Sequence, residues 1–274
     1  MAPVRCWQAN GMMSLMTLVA ALTIGQGQAL RLEVPDESGL ETVTVEWNDK
    51  LIPFAKGGAG WFTIIGIDLD ASPGRHTIEL TRTYSDGRVS PDDKQIDITE
   101  RHFKTTRLEV APKYVELSKA NEARAGREHG EINEIYARIT PEAFWTAPFT
   151  VPIQGVTGGR NFGHRRVFNE QPRAPHSGAD LTATTGTEIR AMNRGRVVLA
   201  KELFYSGNAV FVDHGLGIYS VYLHLSEILV EPGEMIDTDR VLGLAGATGR
   251  VTGAHLHWGV RVQGARVDPF SLLQ

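Results

Sequence analysis

The sequence predicts a mainly β protein: a small N-terminal β-sandwich-like domain, a short helical connector and a C-terminal antiparallel β domain. Three observations predict it. Short apolar–polar alternations recur through residues 30–111, and glycine-dense strand-and-turn text fills 151–274. Between them, apolar residues switch to spacings of three and four. A length of 274 residues suits one large or two ordinary domains, and 42% hydrophobic residues supply a sizeable core. The net charge of −4 lacks the bulk positive charge of a nucleic-acid binder, so no nucleic-acid partner is expected. One cysteine, Cys6, excludes a disulfide framework and a cysteine zinc cluster.

Residues 1–29 read as a signal peptide. Arg5 is the only charge before Arg31, residues 12–24 form an uncharged apolar run, and Gly27-Gln28-Ala29 offers small residues for cleavage. The run is shorter than the roughly 20 residues of a bilayer span, so no stable membrane anchor is expected after cleavage. The expected location is the periplasm or cell envelope, or outside the cell. Cleavage after Ala29 leaves a chain without cysteine, which suits an oxidising compartment.

The accessory region, 30–111, holds LETVTVEW, WFTIIGIDL and HTIELTRTY, a turn at Ser85-Asp86-Gly87, then KQIDIT and TTRLEV. Period-2 runs broken by turn residues read as a sandwich. His76 and His102 stand alone and carry no site. In the connector, 112–150, Ile132, Ile135, Tyr136 and Ile139 share a helical face that Pro141 closes. Its charge-rich run reads as a solvated face; the competing reading is a lid over a neighbouring site, so the N-terminal region is a candidate intramolecular regulator. The stretch 30–150 carries 15 basic and 21 acidic residues, against 12 and 11 in 151–274. From 151 onward, strands flank Asn193-Arg194-Gly195, the loop around Asp213-His214-Gly215, and Gln263-Gly264.

The chemistry gathers in three strings. GAHLHWGV puts His255 and His257 two apart, on one side of a strand, with Leu256 and Trp258 on the other. PHSGADL puts His176 four residues before Asp180, with Gly178 between to permit a tight turn or bulge. VYLHLS puts His224 at a strand end. His176, Asp180 and one member of the His255/His257 pair make three metal ligands, the number a catalytic zinc keeps while leaving a position open. The remaining histidines then sit where a base is needed, since an imidazole pKa near 6.5 matches proton transfer from an activated water. Neither HExxH nor GxSxG is present, so histidine is the expected base of a metal-assisted hydrolase.

HSGAD, YLHL and TGRVTGAHLHWGV, in that order and with VDPF near the end, closely resemble the lysostaphin-like, M23-type zinc metallopeptidases, also called the LytM domain. The resemblance covers about 152–274. It implies that His176, Asp180 and His257 bind one Zn2+ ion, and that His224 and His255 are the catalytic pair. It implies a zinc metalloendopeptidase acting on the stem or cross-bridge peptides of peptidoglycan. The competing class is a non-catalytic peptidoglycan-binding or amidase-activating relative. All five motif positions are intact, which favours the enzyme. A tyrosine near the metal, present in some relatives, has no clear counterpart; Phe168 and Tyr205 are the candidates by position. His214 reads as a turn residue and His164 as a loop residue. Arg160, Arg165 and Arg166 form a small basic cluster facing either solvent or a peptide carboxylate. GATGRVTG lacks the lysine and helix of a phosphate loop.

Overall fold

A computed structural model describes residues 22–108, 118–156, 158–168, 171–172 and 174–273. The N-terminal unit contains β1 (Leu22–Gly25), β2 (Ala29–Val34), β3 (Leu40–Trp47), β4 (Lys50–Pro53), β5 (Ala55–Gly57), β6 (Gly60–Gly66), β7 (Gly74–Tyr84) and β8 (Val89–Thr99). They form a five-stranded sheet, β1-β8-β7-β3-β4, and a three-stranded sheet, β2-β6-β5. The alternation in LETVTVEW turns Val43, Val45 and Trp47 inward, and an irregularity between Leu40 and Thr42 brings Leu40 in with them; all meet Ile52, Ile65, Ile78 and Ile96 in one core.

The fold starts earlier than the sequence suggests. β1 lies inside the segment expected to be removed, yet it pairs in parallel with β8, Ile24 opposite Ile98, and Ile24 is buried. Gly27 (φ +71°) turns the chain into β2, and a Cβ there would stand 2.4 Å from the Phe162 ring. Part of the segment read as leader, residues 22–29, thus pairs with the N-terminal unit. An apolar, β-branched LTIG reads equally well as the end of a leader or as a strand, and the open edge of β8 selects the strand.

The three expected regions interlock. β9 (Thr105–Leu108) pairs in parallel with β10 (Arg165–Phe168), and β11 (Gln171–Pro172) completes that small sheet. The one α-helix among the described residues, α1 (Lys119–Ala137), starts at Ser118, whose hydroxyl accepts from the Asn121 amide at 3.3 Å. It ends at Ala137, before Pro141, because Arg138 is already extended. The connector residues Val115 and Leu117 lie outside the described residues. Ile132, Ile135 and Tyr136 pack on the C-terminal sheet as the period predicts, whereas Ile139, beyond the helix, packs on the N-terminal core. Trp145 and Phe149 enter the C-terminal core together with Ile64 of β6.

The C-terminal sheet holds β12 (Gly178–Thr182), β13 (Glu188–Arg190), β14 (Gly195–Leu203), β15 (Gly207–Asp213), β16 (Ile218–Ile228), β17 (Met235–Ile236), β18 (Val241–Ala245), β19 (His255–Val262) and β20 (Ala265–Val267). Its path is β12-β19-β16-β15-β14-β17, all antiparallel, with β13 and β18 joined at β16 and β20 at β19. One face carries Tyr222, Leu256, Trp258 and Val260 into the main core; the other carries Leu199, Phe211, Tyr219 and Val221 toward α1. The β19–β20 turn uses positive φ at Gln263 (48°) and Gly264 (85°). Gln263 donates to the carbonyls of Ile64 (2.9 Å) and Leu216 (2.6 Å), and Arg266 pairs with Asp68, clasping the two units.

Candidate metal centre

Strand register builds the site. In β12 and β19, Asp180 stands directly opposite His257, and Thr182 opposite His255. The period-2 rule thus places His255 and His257 on the face that Asp180 also presents. His176 arrives from the segment just before β12. His176 Nε2 lies 2.9 Å from Asp180 Oδ1 and 3.0 Å from His257 Nδ1, and His257 Nδ1 lies 2.9 Å from the same oxygen. Two lone-pair atoms from residues four apart thus meet a third from a residue 77 positions further along the chain.

This triangle fits a divalent cation. Ligand atoms about 2.0–2.1 Å from a tetrahedral zinc stand roughly 3.3 Å apart, close to the separations here. His176 Nδ1 donates to the Asn161 carbonyl at 3.1 Å, which leaves Nε2 as the free lone pair. Burial opposes the charge on Asp180, but the His176 and His257 rings beside it outweigh burial and hold the carboxyl far below its ordinary range. Burial pushes the His257 pKa down against the pull of Asp180. An ionised carboxylate beside a neutral ring is the donor state that zinc requires.

Asn161 is the participant that sequence reading missed. Its side-chain amide donates to Asp180 Oδ2 (3.0 Å), and its side-chain oxygen accepts from the Asp180 backbone amide (2.9 Å). One asparagine therefore orients both His176 and Asp180. Its neighbour Gly159 has φ +74°, and a Cβ there would stand 2.6 Å from the Asp180 carbonyl, so only glycine lets this loop approach.

His224 reaches the site through an irregularity. By alternation it follows Tyr222 and Ser220 toward the main core. However, Leu223 and His224 together occupy the space that β15 fills with Ala209 alone, and His224 adopts φ 68°. The bulge shifts the parity: Leu225 turns into the main core, and the His224 ring stands 5.0 Å from that of His255. Its Nδ1 donates to the Thr248 carbonyl at 2.9 Å, and Thr248 is pinned by hydrogen bonds with Leu225 (2.7 Å) and Asn208 (2.9 Å). The glycine-rich GATGRVTG string thus positions a histidine. Burial, chiefly, pushes the His224 pKa down to about 4. His255 Nδ1 donates to the Gly253 carbonyl at 2.9 Å, and its Nε2 lies 3.8 Å from Asp180 Oδ1. Both rings present Nε2 as the free lone pair.

The other candidates lie elsewhere. His164 bonds the Thr106 hydroxyl at 2.8 Å, in the β9–β10 region. Arg165 pairs with Asp70 and Arg160 covers the Phe270 ring, so the basic cluster is dispersed; the Arg166 and Phe168 side chains lie outside the described residues. Tyr205 stacks with Phe204 and Arg250. His214 is more than a turn residue. Fully buried, it bonds the Arg194 carbonyl and the Ser220 hydroxyl, each at 2.8 Å, and Ser220 continues the chain to Tyr222.

Burial pushes the His214 pKa down from 6.5 to about 4, so the folded state resists its protonation. The stability owed to its neutral ring is complete above 6.5 and is lost as pH falls toward about 4. His214→Gln cannot charge there. Thermal melts should show lower stability at neutral pH but a shallower acid-induced fall; equal slopes in both proteins count against this account.

Residues 174–269 match the profile of peptidase family M23. Peptidoglycan DD-endopeptidase ShyA of Vibrio cholerae is 41% identical over 109 residues, covering 39% of this chain and 25% of ShyA. ShyB of the same organism, also a peptidoglycan DD-endopeptidase, is 31% identical over 153 residues, covering 56% of this chain and 35% of ShyB. The matched stretches thus span between a quarter and about a third of these relatives. A Pseudomonas aeruginosa crystal structure assigned to peptidase M23 superposes with a TM-score of 0.70 at 28% identity, over 90% of this chain and 94% of that one. That likeness extends through the N-terminal unit. The stretch 174–269, with β12, β16 and β19 inside it, is a peptidase family M23 domain.

Proposed function

We propose that the protein is an exported, zinc-dependent endopeptidase that hydrolyses peptide bonds in the stem or cross-bridge peptides of peptidoglycan. One observation carries this reading: His176 Nε2, Asp180 Oδ1 and His257 Nδ1 converge within hydrogen-bonding distance of one another, beside two imidazoles whose Nε2 atoms are free. The names of the DD-endopeptidase relatives supply the substrate class.

His176, Asp180 and His257 would hold the ion, and a bound zinc supplies the Lewis acidity that activates water near neutral pH and polarises a carbonyl. His255, the nearer ring to Asp180, takes the proton from the attacking water at Nε2. His224, kept neutral by burial with its proton on Nδ1, accepts at Nε2 and so orients that water. Gly259, opposite Gly178 across β12 and β19, carries no side chain on the face beside His257 and lines the cleft there. Export requires a leader ending before Leu22, since β1 belongs to the fold. No described helix is long and apolar enough to cross a membrane.

The test is digestion of purified sacculi by protein recovered from the envelope, with intact mass reporting the processed N-terminus. Mass spectrometry should find soluble muropeptides cut within their peptides, lost with a chelator and restored by zinc. Sacculi bound by zinc-loaded protein without released products would overturn the enzyme in favour of a binding protein.

A further inference from the structure

Arg261 is a part-buried cation that forms no salt bridge among the described residues, since Asp68, the carboxylate near it, is already paired with Arg266. It follows His255, His257 and Gly259 on the same face of β19, where α1 covers the sheet. Its Nη1 is sealed from solvent and has no hydrogen-bond partner. The Tyr136 ring of α1 lies 5.5 Å from the guanidinium carbon, and Tyr219 stands opposite Arg261 across the β16–β19 pair. A buried, unsatisfied guanidinium is costly unless something occupies it part of the time.

A cavity of about 450 Å³ runs between α1 and the sheet, lined at one end by Ser177 and His257 and at the other by Arg261, Tyr136 and His129. No aspartate or glutamate lines it. Two other cations reach its wall, and both are committed: Lys50 donates to the Gln263 carbonyl, and Arg266 pairs with Asp68 and Asp70. Gly259, between His257 and Arg261, leaves the floor open. Four residues of strand rise about 13 Å, so a peptide lying along β19 from the metal centre reaches Arg261 within about four residues of the bond attacked.

We propose that Arg261 is the carboxylate-recognition residue of this cleft, pairing with a free carboxylate of the peptide substrate and setting which stem peptides are accepted. The proposal rests on the peptidase reading above. Arginine suits the task because its planar fork meets a carboxylate with two parallel hydrogen bonds. Tyr136 supports the guanidinium face from α1, so the helix is the outer wall of the recognition cleft.

The test measures binding and cleavage separately, on the full chain. The probes are a D-Ala-D-Ala-terminated stem peptide with free carboxyls and the same peptide with its carboxyls amidated. On chelator-treated protein, calorimetry should show the free-carboxyl peptide bound on the order of 10- to 100-fold more tightly. Arg261→Leu should abolish that preference while leaving the affinity for the amidated peptide near wild type. Arg261→Lys, which keeps charge without the fork, should restore part of it and covers the case in which the leucine variant does not fold. A preference without cleavage by zinc-loaded protein overturns the peptidase reading and leaves the carboxylate site standing. Cleavage with no preference, no binding of either peptide, or a preference unchanged in Arg261→Lys and Arg261→Leu overturns the proposal. In each of those cases Arg261 serves only to seat α1 against Tyr136.

Discussion

His257→Ala is expected to lose zinc and hydrolysis together, whereas His255→Ala keeps the ion and loses turnover alone. The two rings are neighbours on one strand face, but their ring nitrogens do different things. His257 Nδ1 lies 2.9 Å from Asp180 Oδ1 and 3.0 Å from His176 Nε2, so its removal opens the ligand triangle. A site cut from three protein donors to two should not retain zinc through gel filtration. His255 Nε2 stands 3.8 Å from that oxygen, outside the triangle, with its Nδ1 tied to Gly253. Loss of a general base costs roughly 10²–10⁴-fold in rate. Metal content by mass spectrometry, read beside muropeptide release, separates the two. Zinc-free His255→Ala, or fully active His257→Ala, would remove the basis for the proposed roles.

Gly178→Ala should damage both the fold and the metal centre, although it adds a single methyl group. The new Cβ would lie 2.5 Å from the Trp258 carbonyl oxygen and 2.7 Å from His257 Nε2. Backbone cannot give way there without separating β12 from β19, the pair that aligns Asp180 with His257. Overpacking of this kind costs about 1–3 kcal/mol. Because zinc binds the folded state, poorer ligand geometry also shrinks the stabilisation that added zinc provides. Gly253→Ala is the control, since nothing lies within 4 Å of a Cβ at that position. Melting curves with and without zinc should show a low, zinc-insensitive midpoint for Gly178→Ala and near wild-type behaviour for Gly253→Ala. A zinc response of wild-type size in Gly178→Ala would mean that the strands accommodate the methyl group.

Much of the site was legible because it depends on local periodicity. His255 and His257 share a face for the same reason that Val43, Val45 and Trp47 share the core side of β3: successive strand residues point to opposite sides. The helical face of Ile132, Ile135 and Tyr136 follows equally from a 3.6-residue turn. The helix end, four residues before Pro141, was not legible, since tertiary contacts take Ile139 to a different core. The leader boundary is ambiguous for a related reason: an apolar β-branched run has no periodicity that separates a leader from a strand.

The sequence alone determined the donor chemistry and the mainly β fold, because residue types and alternation are local properties of the chain. Tertiary structure decided which donors meet. The left-handed bulge at His224 exists because β15 and Thr248 hold it, and Asn161 becomes a brace only when Gly159 lets its loop reach Asp180. Arg261 reads as one more polar strand residue until the fold sets Tyr136 of α1 beside it and buries its Nη1 without a partner. Each depends on a surface supplied by residues far along the chain, and no local pattern records which surfaces will be pressed together.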